Sequence, residues 1–391
     1  MAIDAKPPTG HALIEAAREL VPQIEAVADE IERERRLPEA LVTAMTDAGL
    51  FRMLVPRSMG GSEVSLPELA DVIETIAMAD ASVAWCLGQA SGVSRVSFYL
   101  PPETAREIFG RPDAIAAWGQ GPTSTAQRVP GGYRVNGTWS FASGVRHATW
   151  LGANNARLLN EAGEPELDAK GAPLRLILLV PAAEAELTDV WQVSGLRGTA
   201  SDDYTMRDVF VPADREVTSH AFEPGPLRLF GTTPIFSVAF SSVALGVARA
   251  LLDAFIDLTV TKTPRGLTGV LRERPTVQTQ VAQAEATLRA AKALQRQTVS
   301  QVWQKVSATD NFDLDSRASL RLSTTHAIQC AAQVADVAYY AAGATAIFTS
   351  NPFERRFRDI HAVTQQVQGR ADHYETVGRY LLGLDADTFF L

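Results

Sequence analysis

Few residues in this 391-residue chain are arranged so that they can do chemistry. One group lies in "SFASGVRHATW", residues 140–150, where Ser143 precedes Gly144 and His147 follows four residues later. A hydroxyl donates one hydrogen bond and accepts two; beside a glycine it serves equally well as the cap of a strand end. His147 can line a pocket or sit on a β surface. A second group is "AWGQGPTSTAQ" (117–127), with Trp118, Gly119, Gly121 and Thr123. Small residues let backbone N–H groups approach a ring or a phosphate closely. The stretch lacks the third glycine and the βαβ setting of a dinucleotide fingerprint. A third group is basic: Arg95, with Ser91 one turn before it in "AWCLGQASGVSR" (84–95), and Arg265 and Arg272 in "TPRGLTGVLRERP" (263–275). A guanidinium fork suits carboxylate and phosphate. No HExxH and no Cys/His cluster occurs, so no metal is expected. No G-x-S-x-G elbow is present either. Cys86 and Cys330 stand far apart in no redox spacing, which predicts a reducing, cytoplasmic setting without disulfides.

The elements that must hold these groups fall into three parts. Residues 1–114 read as an N-terminal helical domain. "ALIEAARELVPQIEAVADEIERERR" repeats apolar positions at helical spacing, with a break or kink expected at Pro22. Residues 115–220 read as a β domain, a small barrel or sandwich. There "GGYRVNGTWSFASG" alternates, placing Tyr133, Val135, Trp139 and Phe141 on one face, and Asn136-Gly137 predicts a hairpin turn. Residues 221–391 read as a C-terminal antiparallel four-helix bundle with narrow, small-residue seams, stepping by three and four from Val281 to Val302 on one helix and from Leu320 to Ala341 on another.

Bulk composition narrows the possible partners. Hydrophobic residues make up 46% and charged residues 21%, a balance that supports packed domains rather than disorder. The 36 basic and 45 acidic side chains leave a net charge of −9, which argues against nucleic acid and anionic membranes as partners. The N-terminus lacks a basic stretch followed by an apolar core, so no leader is expected. No run of about eighteen apolar residues is read, so no membrane span is expected.

"YRVNGTWSFASGVRHATW" (133–150), "VSGLRGTASDDYTMRDVFVP" (193–212) and the C-terminal "RRFRDIHA" resemble the acyl-CoA dehydrogenase superfamily along nearly the whole chain. "SFASGVRHATW" and "GLRGTASDD" resemble most closely its two-component flavin-dependent monooxygenases, of the aromatic hydroxylase and dibenzothiophene monooxygenase type. The resemblance implies an α+β multidomain fold of helical domain, β domain and bundle, assembled as a homotetramer. It implies reduced FMN or FAD supplied by a separate NAD(P)H:flavin reductase. It also implies a C4a-hydroperoxyflavin that oxygenates a small electron-rich aromatic of indole, aniline or phenol type. By the same resemblance Ser143 lies beside flavin N5. Trp118, Gly119, Gly121, Thr123, Arg265 and Gly343 contact the cofactor, Arg265 across a subunit boundary. Arg95, Ser91, His147 and Gln366 face substrate.

A dehydrogenase of this superfamily needs a carboxylate to take the substrate's α-proton. The family's commonest position falls eight residues after Asp359, on Val367, and residues 360–371 contain no acid. The other falls near Phe236, and residues 224–252 contain none. Phenol-hydroxylating relatives carry a histidine on the helix after "AW", absent from 84–95, and another at the position of Gln366. A monooxygenase acting without a strong protein base is therefore the expectation, with Gln366 donating and accepting hydrogen bonds at the site. The alternatives are an acyl-CoA dehydrogenase using FAD and a homologue that binds flavin without catalysis.

Overall fold

The computed structural model describes residues 7–266, 268–388 and 391. Residues 1–6, part of the stretch read for a leader, lie outside them. The N-terminal part contains α1 (Gly10–Ala26), α2 (Ala28–Glu34), α3 (Glu39–Asp47), α4 (Leu66–Ala79), α5 (Ala81–Ser94) and α6 (Pro102–Phe109). Pro22 does not break α1; the helix runs on to Ala26 and the chain turns at Val27. The four amides of a helix start need acceptors. At α4 Ser65 and Glu68 form a capping box, and at α5 a buried Asp80 carboxylate accepts from Ser82 N (2.8 Å) and Val83 N (3.1 Å). Every residue of α5 is buried, as expected of a helix without a polar face.

The C-terminal part contains α7 (Thr232–Thr261), α8 (Pro275–Thr309), α9 (Leu314–Ala342), α10 (Phe353–Gln365) and α11 (Asp372–Leu381). Contrary to the sequence reading, α7 is long and apolar enough to cross a bilayer by length and composition. It is 83% buried over that window, packed against α4, α5 and α9, and so acts as a core helix here. Apolar residues of α1, α4, α5, α7, α8 and α9 form one continuous core. The two helical parts are thus fused through α5 and α7.

Between them lies a seven-stranded sheet with a core of its own. Its strands are β1 (Ala116–Trp118), β2 (Thr125–Val129), β3 (Gly132–Trp139), β4 (Trp150–Leu159), β5 (Arg175–Pro181), β6 (Glu186–Thr188) and β7 (Asp203–Pro212). The order is β1-β4-β2-β3-β7-β6, with β5 on β4. β1 and β2 both pair in parallel with β4, at Trp150–Gly152 and at Arg157–Leu159 respectively. They therefore lie end to end, and residues 119–124 loop out between them.

The hairpin turn is not at Asn136-Gly137. β3 runs through that pair, and the turn falls at Pro130-Gly131, where Gly131 has φ +82°. Asn136-Gly137 instead marks a bulge in the pairing with β7. The Asn136 side chain accepts from Asp208 N across the strands (2.8 Å), and a Cβ on Gly137 would meet Ser124 at 2.5 Å. The same local signal, an asparagine tolerant of unusual backbone followed by glycine, serves bulges as well as turns. Phe141 also leaves its expected face. The strand ends at Trp139, and Phe141 takes φ +59° and points to solvent, 67% exposed.

Candidate active site

Two loops meet over the N-terminal half of α5. One follows β3 (140–145); the other precedes β7 (194–202). Ala142 N donates to Asp202 O (3.3 Å) and Gly144 N to Thr199 O (2.8 Å), which fixes the loops side by side. Gly144 has φ +81°, a conformation that favours glycine, and turns the chain so that Ser143 points inward. Ser143 is 6% exposed.

Around it runs a line of buried donors and acceptors. Trp85 Nε1–H donates to Ser143 Oγ (3.0 Å). Ser143 Oγ lies 2.6 Å from Ser201 Oγ, and Ser201 Oγ lies 2.7 Å from Thr199 Oγ1. Thr199 Oγ1 donates to the Leu196 carbonyl (2.9 Å). The direction of the line follows from its ends. A carbonyl and an indole N–H have fixed roles, and each hydroxyl has one proton. Thr199 spends its proton on Leu196 O, so Ser201 donates to Thr199 and Ser143 donates to Ser201. Ser143 also accepts from Trp85. What it has left is one lone pair: in this arrangement it can accept a further hydrogen bond but not donate one.

The wall beside this line is aromatic. Trp85 stacks on Phe240 at 3.8 Å, and Phe240 on Phe236 at 5.4 Å. Gly88 and Gly92 of α5 let α7 approach: a Cβ on Gly92 would meet the Phe236 ring at 2.2 Å, and one on Gly88 would meet Ala239 at 3.0 Å. Gln89 Nε2 donates to Trp118 O at the end of β1 (3.4 Å). One helix thus touches Ser143, Trp118 and the α7 aromatics.

The loop 194–202 is held from below by the arginine-rich turn on α10. Asp359 Oδ1 accepts from Leu196 N (2.6 Å), Arg358 donates to Ser194 O, and a Cβ on Gly195 would meet Arg358 O at 2.2 Å. Arg358 also pairs with Glu32 (2.8 Å) and Glu354 (2.7 Å), and Arg355 with Asp29 (3.0 Å). Burial, together with the neighbouring Asp80, pushes Asp359 up to about 7.

The other expected site residues scatter. Trp118 is buried against Gly152. The space beside Gly119 and Gly121 is filled by protein: Cβ atoms there would meet Ser140 O and the Trp139 ring at 2.4 Å each. Those glycines serve packing on that side, and Thr123 lies exposed on the loop. Ser91 donates to Leu87 O of its own helix (2.8 Å) and presents no free proton. Gln366 is a local cap: its Oε1 accepts from Gln368 N (2.6 Å), which engages one of its two lone pairs and holds the side chain against its own turn. His147 lies near Phe51, with ring centroids 5.7 Å apart; its Nε2 is buried without a partner, and burial pushes its pKa down to about 4. A neutral imidazole is thus a pocket wall at ordinary pH. Arg265 is exposed on the loop after α7, and Gly343 ends α9 near Lys262, whose amine caps that helix by donating to Ala342 O. These two lie on the bundle, apart from the Ser143 line. Trp85, Thr199 and Ser201 were not singled out from sequence, although "AW" and "GLRGTASDD" contain them.

Among the described residues the buried carboxylates are Glu74, Asp80, Asp202 and Asp359, and all are engaged. Glu74 pairs with Lys292 (2.7 Å) and Arg296 (2.5 Å). Asp202 accepts from Val190 N (3.0 Å) and Trp191 N (3.1 Å) and pairs with Arg146 (2.6 Å). Asp80 and Asp359 hold backbone amides as described. None is free to act as a base.

Comparison with known proteins agrees with this architecture. Residues 7–98 match the acyl-CoA dehydrogenase N-terminal domain and residues 238–369 its C-terminal domain. An indole-3-acetate monooxygenase of Pseudomonas putida is 32% identical, covering 97% of this chain and 94% of its own. The oxygenase component of a FADH2-dependent resorcinol hydroxylase from Rhizobium sp. is 28% identical, covering 94% of each chain. Among solved structures, the HsaA monooxygenase of M. tuberculosis superposes with a TM-score of 0.87 at 24% identity, over 98% of this chain and all of its own. XiaF from Streptomyces sp., solved with FADH2 and glycerol, gives 0.86 at 25% identity, over 96% of each chain. The chain belongs to the acyl-CoA dehydrogenase superfamily, in its branch of two-component flavin-dependent monooxygenases.

Proposed function

We propose that this protein is the oxygenase component of a flavin-dependent monooxygenase that oxygenates a small electron-rich aromatic. It takes reduced FMN or FAD from a separate reductase. The observation that carries the proposal is the acceptor-only hydroxyl of Ser143, buried beside the Trp85–Phe240 stack, where every buried carboxylate among the described residues is engaged. Reduced flavin, when bound, supplies the two electrons that turn O2 into one water and one oxygen atom on the substrate.

The residues present fit such a cofactor. Ser143 offers a lone pair to a ring N–H, which reduced flavin has at N5 and oxidised flavin lacks. Trp85, Phe240 and Phe236 stack in that order and form an apolar, water-excluding wall beside Ser143. The Trp118 carbonyl is tied to the same helix by Gln89. Arg265 and Gly343 suit a flavin phosphate reaching over from a second copy of the chain, consistent with a homotetramer. Exposed Tyr340, Ile347 and Phe348 beside Gly343 support such an interface. We place this assembly in the cytoplasm. The acyl-CoA dehydrogenase alternative lacks its base: both family positions are without an acid in the sequence, and among the described residues no buried carboxylate is free to replace it.

A single turnover tests this. Protein loaded anaerobically with reduced FMN or FAD is mixed with 18O2 and electron-rich aromatics. One labelled oxygen in the product is the expected result. Complete conversion of O2 to hydrogen peroxide across indoles, anilines and phenols would overturn it, as would bleaching of oxidised flavin by an acyl-CoA.

A further inference from the structure

Arg95 ends α5, and its surroundings differ from those of the other deeply placed arginines. Its Nε is buried and has no hydrogen-bond partner. Its guanidinium lies over the Tyr99 ring, 4.4 Å from the centroid, and no carboxylate among the described residues pairs with it. By contrast, Arg52 donates to the carbonyls of Met59, Phe109 and Arg111. Arg356 donates to Pro352 O and Met78 O, and Arg321 to Gln368 Oε1. Burial pushes the Arg95 pKa down, and Tyr99 offsets part of that shift. Two residues on, the Ser97 hydroxyl is also buried and unpartnered. An unneutralised cation in an apolar surround is costly and is retained where an anion completes it.

The position says where that anion comes from. Trp85, Gly88, Gly92 and Arg95 follow one face of α5. Trp85 touches Ser143, and the two glycines open the face to Phe236 and Phe240. Arg95 therefore stands at the far end of the aromatic wall that begins at the reacting end. At about 1.5 Å per residue, the Trp85 and Arg95 Cα atoms lie about 15 Å apart along the helix. An arginine side chain together with a ring carrying a short acid arm bridges that gap; a bare ring does not.

We propose that Arg95 anchors the carboxylate of the substrate, so that the substrates of this enzyme are aryl-alkanoic acids: an electron-rich ring at the Ser143 end, an acid arm at the Arg95 end. This rests on the monooxygenase reading above. The Tyr99 ring holds the Arg95 guanidinium from one face, the fork can then take a planar anion, and a neutral arene leaves the cation without one. The one other source of anion is the flavin's own phosphate.

The test uses the purified full chain, with indole-3-acetate and the neutral, near-isosteric indole-3-acetamide as probes. Calorimetry gives Kd for each, and for reduced and oxidised FMN and FAD. Wild type is expected to bind the acid at least tenfold tighter than the amide. Arg95→Met abolishes that preference by weakening the acid alone, Arg95→Lys keeps part of it, and flavin Kd values do not change in either variant. Equal binding of acid and amide by wild type, or binding of neither, overturns the proposal. So does a preference that survives in Arg95→Met, or a flavin Kd that weakens there while the preference stays, which would give the cation to the phosphate. Failure of the monooxygenase reading shows separately, as absence of labelled product. If Arg95→Met does not fold, the preference measured in Arg95→Lys decides.

Discussion

Two arginine-bearing turns of this molecule can be set side by side. On α10 the turn of Arg355, Arg356, Arg358 and Asp359 is the more conspicuous, and its polar groups are engaged in holding the loop 194–202 and the N-terminal helices. At the end of α5, the Arg95 Nε and the Ser97 hydroxyl are buried without a hydrogen-bond partner, and the guanidinium contacts Tyr99 with no carboxylate among the described residues to pair with it. Saturated polar groups stabilise a fold, whereas unsaturated ones cost stability and call for a reason to be kept. Residue type does not separate the two cases; partnership does.

The sharpest way to break the contrast is to remove one charge from each turn and unfold both variants in urea. Asp359→Ala leaves the Leu196 amide without its acceptor, and a loss of about 3 kcal/mol is expected. Arg95→Met removes a cation that has no carboxylate partner among the described residues, and a change within about 1 kcal/mol is expected. Equal losses in both would show that Arg95 is as structural as Asp359.

Asp359 adds a pH dependence that Arg95 cannot. Its carboxyl is raised to about 7 in the fold by burial and Asp80, against an ordinary value of about 4. The folded state therefore holds this proton more tightly than the unfolded chain. The stabilising contribution is complete below the ordinary value and is lost as pH rises through about 7. Thermal midpoints of wild type are expected to fall between pH 5 and 8 relative to Asp359→Asn, which keeps an acceptor for Leu196 N without the proton. Parallel curves for the two proteins would assign the proton elsewhere.

Between the two turns lies the hydroxyl line, and it sharpens what partnership means. Ser201 fixes Ser143 as an acceptor. In Ser201→Ala the Ser143 proton is free to turn towards a ring nitrogen with a lone pair, as in oxidised flavin. The ratio of oxidised to reduced flavin Kd values is expected to fall by about fivefold, the worth of one neutral hydrogen bond of about 1 kcal/mol. An unchanged ratio would mean that Ser143 does not face the flavin's N5.

Much of this was legible in the sequence, and the parts that were not share a cause. Helical periodicity and β alternation gave the helix–sheet–helix order because burial imposes them locally. The empty base positions could be counted from Asp359 alone. Asn136-Gly137 misled because a bulge and a turn ask the same of the backbone, and only the partner strand β7 decides between them. Ser201 and Thr199 went unremarked because they gain meaning only when a loop 58 residues away in sequence brings Ser143 to within 2.6 Å. A hydroxyl's direction is a property of the whole line and of no single residue.

Gln366 carries the smallest predicted effect and tests the same lesson from the other side. The resemblance sets it where phenol-hydroxylating members carry a histidine, and a role at the substrate was the natural expectation. In the fold its Oε1 caps the turn of Val367–Gly369 by accepting from Gln368 N, and the neighbouring Gln368 side chain accepts from Arg321. Gln366→Ala should then behave as a lost cap, costing about 1 kcal/mol in urea unfolding. The ratio of product formed to O2 consumed should not change. A fall in that ratio at unchanged stability would return Gln366 to the chemistry, acting through the amide N–H groups that the cap leaves unused.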